Sequence, residues 1–157
     1  MTPNSRIEAF NLVVGLMFAD LHETFPFYMS IDHGDYIQRM GCEPGTFLNS
    51  SLDNWNSAKL ATGDSAFLFI SEALDWLREE GFVMTASRGD TQYRLTAKAF
   101  AALKTTPDAI SGSATLGQSL ADAAKMGGQE AGKAVIGKLA ETAISIGTRL
   151  MLNGSGN

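Results

Sequence analysis

The sequence has little of several residue types that mark particular classes of protein. Among 157 residues there is one cysteine, Cys42, which excludes an internal disulfide and fits a reducing compartment. Only two histidines are present, and no glycine-rich phosphate loop is followed by Lys-Ser/Thr; a catalytic triad and a nucleotide-binding P-loop are therefore disfavoured. Lys and Arg number 12 against 17 Asp and Glu, so no overall positive field attracts nucleic acid.

Long apolar segments and targeting features are also lacking. No run reaches the ~18 uninterrupted apolar residues of a membrane-spanning helix. The N-terminus has no basic segment followed by an apolar run and a small-residue cleavage site, and we expect a cytoplasmic protein that is at most peripheral to a membrane. Aromatic residues stop at Phe100. This change of composition predicts a domain over 1–105 and a linker with an amphipathic helical tail and a disordered end over 106–157.

The N-terminal part of the chain predicts two helices. Ser5 and Glu8 form a capping-box pattern at a helix start, and we expect this helix to end near Thr24. A second, short helix is predicted over 35–40, capped by Asp32 or Ser30, with Gly41 as its C-terminal stop. A short strand is predicted over 27–29 and a polar insertion over 43–61. The predicted core face of the first helix consists of Ile7, Phe10, Val14, Met17 and Leu21.

The stretch from 62 to 104 carries the clearest structural pattern. Phe67, Ile70, Leu74 and Leu77 recur at helical spacing, and Gly81 stops that helix. Segments 82–85 and 91–95 have strand-like composition around a turn over 87–90, and a short helix capped by Thr96 follows. This order predicts a winged helix, so the expected fold is mainly α with a small β-hairpin: a winged helix-turn-helix domain followed by a C-terminal helical tail.

The tail reads as one amphipathic helix interrupted by glycines. Small residues four positions apart, as in Gly128 and Gly132, let two helices approach closely. Such a helix is marginal in isolation, so it must cover a surface: a second copy, its own domain or a membrane. We expect self-association, for which the predicted residues are Gly128, Gly132, Val135, Leu139, Ile146 and Leu150.

Two sets of motifs in the chain resemble those of known small proteins. The first comprises Phe69, the segment Ala73-Leu74-Asp75-Trp76-Leu77, Glu80-Gly81-Phe82 and Leu95-Thr96-Ala97-Lys98. The second, in the tail, comprises Leu116-Gly117, Leu120, Ala123-Ala124-Lys125 and Gly127. Over roughly 5–147 the chain resembles a group of small uncharacterised bacterial winged-helix proteins. The resemblance implies the fold and a bacterial origin, and it implies no activity and no functional residues.

Candidate chemical groups are few. Metal-ligand residue types occur near one another in sequence, but their spacing matches no zinc pattern, and capping and turn formation explain those around His33. We expect neither a metal nor a cofactor, and no enzymatic activity. The residues considered are Asp20, His22, Glu23, Asp32, His33, Asp35 and Cys42.

Contact with DNA is also opposed by charge. The exposed face predicted for the third helix carries Glu72, Asp75, Glu79 and Glu80 against the single guanidinium of Arg78, and these carboxylates repel phosphate. The wing offers a small basic strip. The residues predicted to contact a partner or DNA are Arg78, Arg88, Arg94 and Lys98.

We therefore expect a non-enzymatic winged-helix interaction module that forms homo-oligomers through its tail and serves an unknown protein as an adaptor or assembly subunit. One alternative is a DNA-binding regulator that dimerises through the tail. Another is a membrane-acting effector, whose tail cations would suit an anionic surface while Glu130 and Glu141 oppose it.

Overall fold

The computed structural model describes residues 5–42, 57–87, 89–106, 114–126 and 130–154. Within these ranges the protein is mainly α-helical with a small three-stranded antiparallel sheet. The elements in chain order are α1 (Arg6–Thr24), β1 (Met29–Ser30), α2 (His33–Arg39), α3 (Ala66–Glu79), β2 (Val83–Thr85), β3 (Gln92–Leu95), α4 (Ala97–Leu103), α5 (Leu116–Lys125) and α6 (Glu130–Gly154).

Helix α1 lies at the centre of the core. Its start is the predicted one, since the Ser5 hydroxyl accepts a hydrogen bond from the Glu8 amide at 3.1 Å. Every residue from 12 to 19 is buried, and a helix that is apolar on all sides must be covered on all sides. The prediction that Ile7 belongs to the core face is wrong: Ile7 is 74% exposed, because the first turn of α1 extends beyond the core.

The sheet and its flanking helices follow the predicted order. β3 is the central strand: Met29 of β1 is opposite Tyr93, and Val83 of β2 is opposite Leu95. The hairpin is confirmed, while the first strand lies at 29–30 instead of 27–29. Thr96 begins α4, and its hydroxyl accepts from the Ala99 amide at 3.2 Å. Asp32, one of the two predicted caps, accepts a hydrogen bond from the Gly34 amide at 3.0 Å, and α2 begins at His33, two residues earlier than predicted.

In the described residues the tail contains two helices, α5 and α6, where the sequence pattern indicated one amphipathic helix with glycines. Thr115 and Gln118 form a reciprocal capping box that begins α5, and Met126 is its C-cap residue. Helix α6 begins at Glu130. The pair Gly127-Gly128 falls between the two helices, outside the described residues.

Both tail helices pack on α1. A Cβ placed on Gly15 of α1 would lie 2.4 Å from Ile136 Cγ2 and 2.8 Å from the Ile136 carbonyl oxygen on α6. On α5, a Cβ at Gly117 would lie 2.5 Å from His22 Nε2. The small residues of α1 and of the tail therefore allow close helix contacts within one chain, and the core continues across the predicted boundary at 105–106.

Candidate functional site

An open groove of about 360 Å³ lies between α1 and α3. At its floor the ring of Phe10 on α1 meets Trp76 on α3 edge to face, with 5.2 Å between centroids and 88° between planes. We call it the acidic-aromatic groove, and it is lined by Phe10, Phe69, Glu72, Ala73, Asp75, Trp76 and Glu79.

The sequence of α3 produces this groove because it has two patterned faces. The Ser65 hydroxyl caps the helix by accepting from the Leu68 amide at 3.2 Å. One face, with Ile70, Leu74 and Leu77, is buried in the core. The other face repeats every seven residues: Phe69 recurs as Trp76, and Glu72 recurs as Glu79, so that aromatic and acidic side chains form adjacent rows.

The aromatic floor is held by its neighbours. Trp76 stacks on Phe82 with 6.1 Å between ring centroids and 12° between planes. Phe82 is buried at the start of the hairpin, and a second ring, that of Phe18 on α1, lies 5.9 Å away. The indole of Trp76 is therefore anchored on one side while it lines the groove on the other.

The rim of the groove carries net negative charge. Asp75 accepts a hydrogen bond from Arg78 at 3.2 Å, and both side chains are about half exposed, so this pair adds little stability. Glu72 and Glu79 are exposed, and neither forms an ion pair with any part of the chain that the structure describes. Two carboxylates at the rim are thus available for a cationic partner.

The predicted basic contact residues are engaged within the fold. Arg78 pairs with Asp75. The Arg94 guanidinium lies 4.5 Å from the centroid of the Tyr28 ring and donates to the Pro26 carbonyl oxygen at 3.4 Å. Arg88 lies outside the described residues.

Lys98 is the most strongly engaged of these cations. Its Nζ donates to the Glu80 carbonyl oxygen at the C-terminus of α3 and lies 4.2 Å from the centroid of the Phe82 ring. Burial lowers the pKa of Lys98, an effect partly offset by the Glu80 carboxylate. Lys98 therefore caps α3 in this structure, and Arg78, Arg94 and Lys98, the predicted contact residues that the structure describes, each interact with other groups of the chain.

The predicted oligomerisation residues lie in different surroundings. Gly132 is buried, and Leu139 and Ile146 are partly buried against the core. Val135 is 49% exposed and Leu150 is 41% exposed. The last residue of α6 described as buried is Gly147, so Leu150 follows the packed part of the helix. Gly128 lies outside the described residues.

The His33 and Ser71 side chains meet between α2 and α3, with 3.0 Å from His33 Nε2 to Ser71 Oγ. The Ser71 hydroxyl also lies 3.2 Å from the Phe67 carbonyl oxygen, to which it can donate, and it can accept a hydrogen bond from His33 in the tautomer that carries its proton on Nε2. Burial lowers the pKa of His33, which the Asp32 carboxylate partly offsets.

A partly buried ion pair joins α1 to α2, and the sequence patterns did not predict it. Asp20 accepts from the Tyr36 hydroxyl and from Arg39 Nη1, both at 2.6 Å. Burial, followed by the charge of Asp20, raises the pKa of Tyr36 far above its ordinary value. For Arg39, burial lowers the pKa, but the hydrogen bond and charge of Asp20 outweigh it and the net shift is upward. These contacts orient α2 on α1, and Asp20, Tyr36 and Arg39 hydrogen-bond to one another.

The described residues contain neither a metal-ligand cluster nor a membrane-spanning helix. Within the described ranges, no group of three or more His, Cys, Asp or Glu residues is placed to hold a metal ion. None of the helices in those ranges has both the length and the apolar character needed to cross a membrane.

The groove itself was missed as a unit because Phe10 and Trp76 come from distant parts of the sequence. The signal that could have found it is the seven-residue repeat of aromatic and acidic residues on α3. No protein-family model, curated protein or solved structure matches this chain.

Proposed function

We propose that this chain is a non-enzymatic interaction module, an adaptor or assembly subunit, that docks a protein partner in the acidic-aromatic groove. The observation that carries the proposal is an anchored aromatic floor beside carboxylates that have no ion-pair partner in the described structure. Aromatic residues set in a concave surface with a polar rim are typical of protein interfaces.

The element order supports a winged-helix arrangement for this module. Within the described residues, the hairpin follows α1, α2 and α3, and β1 pairs with β3, the second strand of the hairpin. In DNA-binding proteins with helix-turn-helix motifs, a helix enters the major groove. Here the open face of α3 carries Glu72, Asp75 and Glu79, which repel phosphate. The arrangement thus favours a protein partner over the alternative of a DNA-binding regulator.

Self-association through the tail remains part of the proposal, but the proposed contact surface is now smaller than the one predicted from the sequence. The small residues of the tail pack on α1 and Phe82, so the surface left for a second copy is the flank of α6 that includes Val135 and Leu150. Light scattering across protein concentration tests it. We expect Val135→Glu/Leu150→Glu to reduce the solution mass to that of one chain, and a wild-type mass of one chain at every concentration would exclude this surface.

Site-specific photo-crosslinking tests the docking proposal. A photoreactive amino acid at Glu72 should form a discrete adduct with one protein in cells that express the chain natively, whereas the same residue at Asp122, which is exposed on α5, should not. The adduct is identified by mass spectrometry, and its protein is purified for binding to wild type and to Trp76→Ala. Adducts that form equally at Glu72 and Asp122, or a purified protein that binds both chains equally, would contradict docking in this groove.

The membrane-acting alternative has a separate assay. Flotation of the full chain with anionic vesicles would support it if flotation were lost on Lys133→Glu/Lys138→Glu. Under the present proposal the chain stays in the unbound fraction, since the net charge of -5 opposes an anionic surface.

A further inference from the structure

The chemistry of the acidic-aromatic groove selects a class of partner. We infer that the partner docks as an amphipathic α-helix that carries Lys or Arg beside an apolar stripe. This inference rests on the proposed docking function and adds the conformation and the charge of the partner.

The spacing of the rim residues is the first argument. Glu72, Asp75 and Glu79 are separated by three and then four residues on α3, so they lie in one row that extends about 10 Å along the helix axis. A second helix laid along α3 presents its own side chains at the same intervals. Cations three and four residues apart on that helix therefore meet successive carboxylates.

The floor of the groove is the second argument. Phe10 and Trp76 offer ring surfaces beside the row of carboxylates. Helix-in-groove recognition places an apolar stripe in such a depression through residues at positions i, i+3 or i+4, and i+7. A volume of about 360 Å³ is at the low end of the ~300–1,000 Å³ usual for small-molecule pockets, and it suits a few apolar side chains entering from an open side.

Charge complementarity is the third argument. The groove has three carboxylates and one nearby guanidinium, that of Arg78, which already pairs with Asp75. Glu72 and Glu79 are exposed, and a cation beside them also meets the aromatic surface of Trp76, with which it interacts favourably. The same charges disfavour an acidic helix or a nucleic-acid backbone, so they contribute specificity as well as faster association.

Designed peptides of about 18 residues test the inference with the full chain. One is an amphipathic Leu/Lys helix, the second replaces each Lys with Glu, and the third has the composition of the first in an order that abolishes the apolar stripe. Fluorescence anisotropy at ~0.1 M salt, where screening acts beyond ~10 Å, measures binding. We expect the Leu/Lys helix to bind at least tenfold more tightly than either of the others, a difference of about 1.4 kcal/mol.

A matched pair of variants locates the binding site. Glu72→Lys/Glu79→Lys should weaken binding of the Leu/Lys helix at least tenfold. Asp122→Lys/Glu141→Lys makes the same change in total charge at exposed positions on α5 and α6 and should leave the affinity within about twofold. All four positions are exposed. Circular dichroism is used to check that each variant keeps the helical content of the wild type.

Each contrary outcome has a definite meaning. Equal binding of the helical and the reordered peptide would show attraction by charge alone and would overturn the helical partner. An equal loss of affinity for the Leu/Lys helix in both double variants would show that binding does not depend on the groove and would overturn the inference. If no peptide binds but the Glu72 crosslink identifies a partner, docking stands and the basic helix is excluded; if the crosslink also fails, the proposed function fails with it.

Discussion

The contact between α1 and α6 makes a sharp prediction, because one substitution at two glycines should change stability in opposite directions. At Gly15 an added methyl would lie 2.4 Å from Ile136 Cγ2, 2.8 Å from the Ile136 carbonyl oxygen and 3.2 Å from Ala140 Cβ. At Gly137, on α6, the nearest atom would be Asn11 Cβ at 3.7 Å, an ordinary contact. Both sites are helical, so both substitutions gain the same helix propensity.

The expected magnitudes follow from two opposing effects. Replacing Gly by Ala within a helix stabilises it by ~0.8–1 kcal/mol, and Gly137→Ala should show this gain. At Gly15 the overpacking cost is typically ~1–3 kcal/mol. The upper part of that range applies because the carbonyl oxygen of Ile136 belongs to the backbone and cannot rotate away. We therefore expect Gly15→Ala to lower the free energy of unfolding by about 1–2 kcal/mol, after the propensity gain is subtracted.

Urea denaturation followed by circular dichroism measures both variants. For a chain of this size each 1 kcal/mol corresponds to ~2–4 °C in Tm, so thermal unfolding gives a second measurement. Gly15→Ala should unfold at lower urea and lower temperature than wild type, and Gly137→Ala at higher. If Gly15→Ala were as stable as Gly137→Ala, the close packing of α6 on α1 would be refuted.

Three further predictions concern pH and capping. Burial lowers the pKa of His22 and His33, partly offset by neighbouring carboxylates, so the unfolded chain binds more protons than the folded chain near and below the ordinary pKa of 6.5. The stability that depends on the neutral imidazoles should therefore be fully present above pH 6.5 and fall as the pH drops below it. In urea denaturation across pH, a His22→Gln/His33→Gln variant should show a weaker decline. The hydrogen bond from Arg6 lowers the pKa of Asp64 to about 2, so an NMR titration of that carboxyl should have its midpoint there and move upward in Arg6→Gln; an unchanged midpoint would exclude the pair. Thr96→Ala should cost about 1 kcal/mol of stability in urea denaturation through loss of the α4 cap, whereas Thr96→Ser should retain most of it.

Elements whose limits depend on local chemistry could be predicted from the sequence. Ser5 and Thr96 cap the helices that they were expected to cap, and the Gly81 stop leads into the hairpin as the pattern indicated. These features depend on side chains that bond to amides two or three residues away, so the information is contained in short segments. Strand limits shifted by only a residue or two.

The surface covered by the tail could not be predicted in the same way. An amphipathic stripe has the same spacing whether it packs on its own domain, on a second copy or on lipid. The deciding information lies at the other end of the chain, in the uninterrupted buried run over 12–19 of α1, which needs cover on more than one side. In this chain both tail helices pack on α1, and association with a second copy stays a prediction.

The candidate site was only half visible in the sequence. The acidic face of α3 follows from its periodicity, and it was correctly expected to be exposed at Glu72, Asp75 and Glu79. The groove also needs Phe10, whose contact with Trp76 depends on how α1 crosses α3. The engagement of Lys98 with the end of α3 likewise depends on packing between elements that are separated along the chain.

The central position of α1 has a consequence for the synthesis of the protein. α6, which covers one side of α1, begins about 100 residues after α1 ends. At ~5–20 residues per second, the apolar surface of α1 stays uncovered for roughly 5–20 s. The core is incomplete during this interval, and we expect the uncovered side of α1 to be recognised by chaperones that bind apolar surface. Every nascent chain that terminates before α6 exposes the same surface, which makes such products targets for aggregation and proteolysis.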